Sequence, residues 1–270
     1  MIDFMRCVRA FLVRDFQVES SYRLAFVLQV LGLFVTSTLW FFIARALGGS
    51  HTSEATGGLE YFPWVLGGLM VSRFQEVSLN AYAAQIRQEQ TTGTLEALLV
   101  TPTRLGNLVV SSASWSYTLA TIQSLLYLTF GVLVFGVRLE MGSLIGALAA
   151  VLLTVLSISG VGILSAAFVL YFKRGNPVNF LISSTSALFG NVFIPSETLP
   201  HQIAWISKLI PISYATNALR GALLRGESLR ELAPNLLALA AFSAVLVPGG
   251  LIGARIAIRR AKREGTLVQY

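Results

Sequence analysis

Charge is what this chain of 270 residues lacks most: Asp, Glu, Lys and Arg together make up 12% of it, about half the share usual in a soluble domain. Cysteine is nearly absent too. With Cys7 alone, neither an intrachain disulfide nor a thiol metal cluster can form. Two histidines, His51 and His201, are too few for a histidine-based metal site. No GxxxxGK[ST] run and no Gly-Lys pair occurs, so the chain cannot hold ATP in a P-loop. HExxH and the GxSxG nucleophile elbow are missing as well. These absences point away from chemistry on the chain itself, and therefore away from an enzyme.

What is abundant is apolar sequence. Hydrophobic residues make up 54%, mean hydropathy is +0.69, and apolar runs longer than about 18 residues recur, enough to cross a hydrocarbon core. The expected class is an all-α polytopic membrane protein forming one transmembrane domain over 1–270. Residues 3–22 place Phe4, Val8, Phe11 and Val18 on one helical face and Arg6, Arg9 and Gln17 on the other. That pattern predicts an amphipathic helix lying in the membrane interface, and its interspersed charge is unlike a cleaved signal peptide. Six spans follow, near 24–44, 61–82, 108–135, 144–171, 178–194 and 236–258. With the N-terminus in the cytosol, thirteen Lys and Arg collect on that side, against Arg138, Lys208, Arg220, Arg225 and Arg230 on the other. Both termini are then cytosolic. The net charge of +7 follows from this topology, with no need for nucleic acid.

Three polar features interrupt the spans. The first, 83–107, falls on the cytosolic side between spans two and three. Ile86, Leu95, Leu98 and Leu99 offer apolar contacts and Glu89 and Glu96 offer charge. Gly93 breaks the run, Thr94 can cap a new helix, and Thr101-Pro102 ends it. Two short angled helices at the membrane surface are predicted, rigid enough to transmit a push, although a plain connecting loop has the same composition. The second feature is the semi-apolar interval 195–234. Ile203, Trp205, Ile206, Leu209 and Ile210 form a short amphipathic segment that Pro211 breaks, and residues 212–224 give another. Each is too short to span, and irregular backbone at membrane depth must be covered by protein or face water. The third is Arg73 and Glu76, three apart inside span two, where ionisable groups normally face the bundle or a cavity. They either line a polar path or steady a dimer, or they neutralise one another locally. The Ser/Thr-rich face of span three reads as helix-packing glue, and Pro248-Gly249-Gly250 in span six as a kink or local widening.

The segment RQEQTTGTLEALLVTP, 87–102, resembles the cytoplasmic signature of ABC-2 type permeases, the membrane subunits of bacterial ABC exporters. Glu89, Gly93, Thr94, Leu95, Glu96, Leu98, Leu99, Thr101 and Pro102 carry that resemblance. A second likeness lies in Phe193, Pro195, Leu199-Pro200, Trp205, Pro211, Tyr214, Asn217 and Arg220. The resemblance implies that 83–107 is the coupling helix docking on a separate ABC ATPase, and that Leu199, Pro200, Trp205, Pro211, Tyr214, Asn217 and Arg220 belong to an extracytoplasmic gate of re-entrant or interfacial helices. It also implies a second permease subunit, identical or a sibling, with ATP and Mg bound by the ATPase and no cofactor on this chain. The path would draw on spans one and five, bringing in Phe34, Trp40, Ser183, Ser184 and Phe189. Membrane lipids complete the expected partners, and the bacterial inner membrane the location. Substrates of the family are drugs, lipids and lipid-linked polysaccharides. The opening here lacks the densely aromatic, basic character of the polysaccharide branch, which tilts the expectation towards a smaller amphipathic cargo. The rival is a channel or membrane scaffold whose cytosolic loop binds a regulator without ATP.

Overall fold

The computed structural model describes residues 2–47, 56–91, 111, 113–172 and 177–263. Helix dominates them, and no strand occurs among the described residues. Helices α1 (Ile2–Ser20), α2 (Arg23–Ala46), α3 (Tyr61–Thr91), α4 (Ser114–Leu133), α5 (Leu144–Phe172) and α6 (Pro177–Phe189) come first. A 3-10 turn (Ser196–Thr198), α7 (His201–Lys208), α8 (Pro211–Leu224) and α9 (Leu229–Arg263) follow. The protein is an all-α polytopic membrane protein.

Among the described residues, four helices are long and apolar enough to cross a membrane by themselves: α2, α4, the Leu144–Ala166 part of α5 and the Leu229–Ile256 part of α9. Expected spans two and five differ from these, each for its own reason. Helix α3 has 31 residues, about 46 Å of rise, but Arg73, Gln75, Glu76, Asn80 and Gln85 dilute its apolarity. It is nonetheless well enclosed, with Trp64, Val65, Leu66, Leu69, Val71 and Leu79 all buried, and it packs against both α4 and α5. A helix lying along spanning neighbours crosses with them: Gln75 and Ser78 are buried in protein, while Arg73, Glu76 and Asn80 line a cavity. Helix α6 has only 13 residues, about 20 Å, shorter than the 178–194 expected. Its termination follows from Gly190 and from Asn191, whose φ of 56° is a left-handed conformation that Asn tolerates better than most residues.

The bundle has two ends. At one, α1 lies against the start of α4: Trp115 Nε1 donates to Glu19 Oε2 at 2.7 Å, and the Phe16 and Trp115 rings meet edge-on at 5.8 Å. The inward face of α1 is the predicted one around Phe11, which is buried. Val18 departs from it and is exposed, because the helix touches the bundle along a narrow line. At the other end α8 meets the loop before α5, where Glu140 N and Gly142 N donate to the Leu223 and Ala222 carbonyls at 3.1 and 3.0 Å.

Helix α9 begins at Leu229, several residues before the expected 236. Ser228 caps it: its own N–H and Oγ donate to Glu231 Oε2 at 2.7 and 2.8 Å, the reciprocal half of a capping box. Pro234 is carried inside the helix, where it lacks one donor. The helix also continues through Pro248. Gly250 beyond it serves close approach, since a side chain there would strike the Gly160 carbonyl of α5, and one on Gly160 would strike the Leu246 carbonyl of α9. Gly162 likewise sits against the Ser78 carbonyl of α3. Helices α3, α5 and α9 therefore touch backbone to backbone at small residues, the packing style of membrane bundles.

Helix α2 joins the bundle differently. Its contacts run through large rings towards its C-terminal half: Phe34 on Phe130, Phe41 on Phe62 and Phe135, and Trp40 stacked on Phe193 at 4.7 Å. Its first two turns leave Leu24, Phe26, Val27 and Leu28 exposed.

Candidate functional site

Of the expected coupling stretch, only the beginning is described. Helix α3 continues to Thr91, carrying the chain out of the bundle at the α1 end through Glu89. Gly93, Thr94, Leu95, Glu96, Leu98, Leu99, Thr101 and Pro102 lie outside the described residues, as does the Glu89 side chain.

The expected gate is fully described. Pro200 precedes α7 and Pro211 occupies the first turn of α8, where its missing N–H costs nothing and its fixed φ suits the helix. The two helices form a hairpin that dips into the bundle. Its turn at Leu209, Ile210 and Pro211 shares an apolar cavity of about 290 Å³ with Gln75 and Ile158. Both of these lie roughly 21 Å along their helices from the starts at Tyr61 and Leu144. The two arms differ. Helix α7 is largely exposed and Trp205 points outward, its indole N–H donating to the Gln202 carbonyl at 2.9 Å. Helix α8 is buried along eleven of its fourteen residues, so it is a core element of the bundle and not an interfacial one. Tyr214 ties the arms, donating to the Lys208 carbonyl at 3.0 Å, and Ser207 and Ser213 meet at 3.2 Å. Leu199 closes the 3-10 turn.

At the top of α8 the site is built around Arg220, which is 1% exposed. A buried guanidinium must have its donors satisfied, and these are. Nε donates to the Trp64 carbonyl at 2.8 Å, Nη1 to Asn191 at 2.8 Å and Nη2 to Val192 at 3.3 Å. Its plane lies 3.8 Å over the Trp64 ring, a cation–π contact. The space for it comes from Gly67 and Gly68. A side chain on Gly67 would meet Arg220 Cγ at 2.8 Å, and one on Gly68 would strike the Val192 carbonyl. The three carbonyl acceptors and the Trp64 face keep the buried charge tenable. Asn191 Nδ2 donates to Asn217 Oδ1 at 2.7 Å and its Oδ1 accepts from Ser196 N at 3.1 Å. Arg225 pairs with Glu227 at 2.9 Å. Together these groups line a polar cavity of about 400 Å³ at the α8 end.

The structure thus brings Asn217 and Arg220 together, links Tyr214 to them through α8, and leaves Trp205 outside. Trp64, Gly67, Gly68 and Asn191 were not anticipated. The adjacent glycines of span two were the one available sign, since paired glycines inside a helix signal a close approach.

Arg73 and Glu76 form the expected ion pair, Nη1 to Oε2 at 2.9 Å. They do not simply cancel in a sealed interior. The Glu76 side chain is 59% exposed and that of Arg73 31%, and both line a second cavity of about 400 Å³ between α2, α3 and α4, with Gln29, Asn80 and Gln123. The path residues assigned to spans one and five fall into two separate groups. Phe34 and Trp40 belong to the aromatic seam of α2, while Ser183, Ser184 and Phe189 lie on α6, packed with α3, α5 and the hairpin. Most hydroxyls of span three bond back to their own helix, as Thr118, Thr121 and Thr129 do. Two cross to α3: Ser124 donates to the Met70 carbonyl at 3.0 Å, and the Tyr117 hydroxyl donates to Ser78 Oγ at 3.3 Å.

No curated protein matches the chain. Residues 3–224, which take in every helix from α1 to the end of the buried arm α8, match the family model of the ABC-2 type transporter. With its multi-helix membrane bundle and no P-loop, the chain belongs to that family and is the permease, the membrane-embedded part, of an ABC transporter.

Proposed function

We propose that this permease is the membrane subunit of an exporter that moves an amphipathic or lipophilic substrate out of the cytoplasm, powered by ATP hydrolysis on a separate subunit. Family membership implies association with ABC ATPase subunits. On this reading two permeases, identical or siblings, sit on two ATPases that bind ATP and Mg, in a bacterial inner membrane with both termini cytosolic.

The continuity of α3 is the observation that carries the reading. One helix of 31 residues has Trp64 and Gly68 against Arg220 near its start and leads into the coupling stretch at its end. Its rise of about 46 Å exceeds the hydrocarbon thickness of about 30 Å. Closure of the ATPase dimer would push on 83–107, with Glu89, Glu96, Leu98 and Leu99 as the contact. An unbroken helix relays that push to the hairpin of α7 and α8, where Tyr214, Asn217 and Arg220 act as the outer gate.

The test is co-purification and transport-coupled ATP turnover with the partner ATPase. Substituting Glu96→Arg and Leu99→Arg is expected to abolish both. Unchanged assembly and turnover overturn the docking role. Substrate flux that persists without any ATPase overturns the exporter and favours the channel.

A further inference from the structure

The cavity between α2, α3 and α4 lies at a depth where charge is costly. Yet Glu76 is among the more open side chains of α3 and Arg73 is partly open beside it. The Arg73 guanidinium also lies beside the Tyr127 hydroxyl, and its Nε is buried without a hydrogen-bond partner among the described residues. A pair kept only to neutralise itself would be enclosed, as Arg220 is. This one faces a space of about 400 Å³, within the range of small-ligand pockets.

The other walls are neutral donors and acceptors, the Gln29, Asn80 and Gln123 amides and the Ser116 hydroxyl, with Leu119 and Ala84 between them. Gln29 lies about 9 Å along α2 from Arg23, and Gln123 about 14 Å along α4 from Ser114. Both distances run from the α1 end, so the cavity occupies the half of the bundle that is cytosolic in the orientation proposed above. It also opens sideways. Helix α2 is held by rings from Phe34 onward, and its first turns, beside the cavity, are exposed.

We propose that this cavity is a binding site for the polar head of an amphiphile drawn from the inner leaflet, and that it selects heads carrying both an acidic and a basic group. The charges are one of each sign, adjacent and fixed on one helix face, and the remaining walls are uncharged. A purely anionic head meets Arg73 but is repelled by Glu76, and a cationic head meets the reverse. A zwitterion sets its anion on Arg73 and its ammonium on Glu76, replacing one ion pair with two, while its tails stay in the bilayer beside α2. This deepens the exporter reading by naming a substrate class, and it rests on that reading for the side of entry.

The experiment uses the full chain purified with its ATPase partner, without nucleotide. Equilibrium binding is measured for three radiolabelled dioctanoyl glycerolipids with phosphoethanolamine, phosphoglycerol or trimethylammonium heads. The zwitterion is expected to bind about tenfold more tightly than either of the others. Glu76→Gln should raise the anionic lipid above the zwitterion, and Arg73→Gln should raise the cationic one. Gln123→Ala, which leaves the charges in place, should weaken all three alike. Equal binding of the three heads, or charge variants at 73 and 76 that move them together, overturns the site. So does a disulfide between two copies carrying Gln29→Cys with Cys7→Ser, because this face would then be a subunit interface. Head-group preference retained by a chain that fails to hold an ATPase removes the exporter and leaves the site. ATP-driven export without head-group preference does the opposite.

Discussion

Two arginines, Arg220 and Arg73, divide the molecule into a part that is finished and a part that is waiting. Arg220 is enclosed, stacked on Trp64, and its Nε, Nη1 and Nη2 each donate to a carbonyl. Arg73 has one ionic partner, an unused Nε and a partly open side chain. Both charges sit in an apolar bundle. The difference lies in how completely the chain itself answers them. A cation satisfied on all sides fixes a geometry, whereas one left half-answered beside a cavity retains the capacity to bind.

The largest effect should come from Arg220→Leu. Removing the guanidinium leaves the Trp64, Asn191 and Val192 carbonyls without their donor, and a loss of about 3–5 kcal/mol is expected, read as a lower midpoint in detergent-titrated unfolding. Arg220→Lys should recover less than half of it, because one ammonium cannot reproduce the planar fork or its stacking. Next comes Gly68→Ala. Alanine gains about 1 kcal/mol of helix propensity, but its methyl strikes a backbone carbonyl that cannot rotate away. The net result should be a loss of about 1–3 kcal/mol, seen as a reduced unfolding temperature. The smallest effect on stability belongs to the double variant Arg73→Gln with Glu76→Gln, expected to shift stability by less than about 1 kcal/mol, as for an open ion pair. A loss as large as that of Arg220→Leu would erase the contrast, by making both arginines structural.

Much of the helical plan was readable from apolar runs alone, and the two arms of the hairpin from segments too short to span on either side of Pro211, while only the family resemblance implied that they are re-entrant or interfacial. What escaped was of another kind. Arg220 is answered by carbonyls of residues 64, 191 and 192, and since every residue has a carbonyl, no side-chain pattern announces such a partner. The early start of α9 was legible as Ser228-x-x-Glu231, a capping box ahead of Pro234. The length of α6 was misread because the Val192-Phe193-Ile194 run after it is apolar, while the turn is made by backbone at Gly190 and Asn191. For the pair at 73 and 76, spacing gave the contact but could not give its exposure, which depends on how α2 and α4 stand aside.

The glycine crossings of α3, α5 and α9 bear on mechanics. Where two backbones touch with no side chain between them, there is no soft layer to shear, and sliding by even a fraction of a turn drives Cα against carbonyl at Gly160, Gly162 and Gly250. Those three helices are then compelled to move as one stiff plank. Compliance is displaced to the seam of rings under α2, where Phe34, Trp40 and Phe41 can roll on their neighbours. Helix α2 becomes a lever hinged near its C-terminal half, with its largest swing at the end beside Gln29.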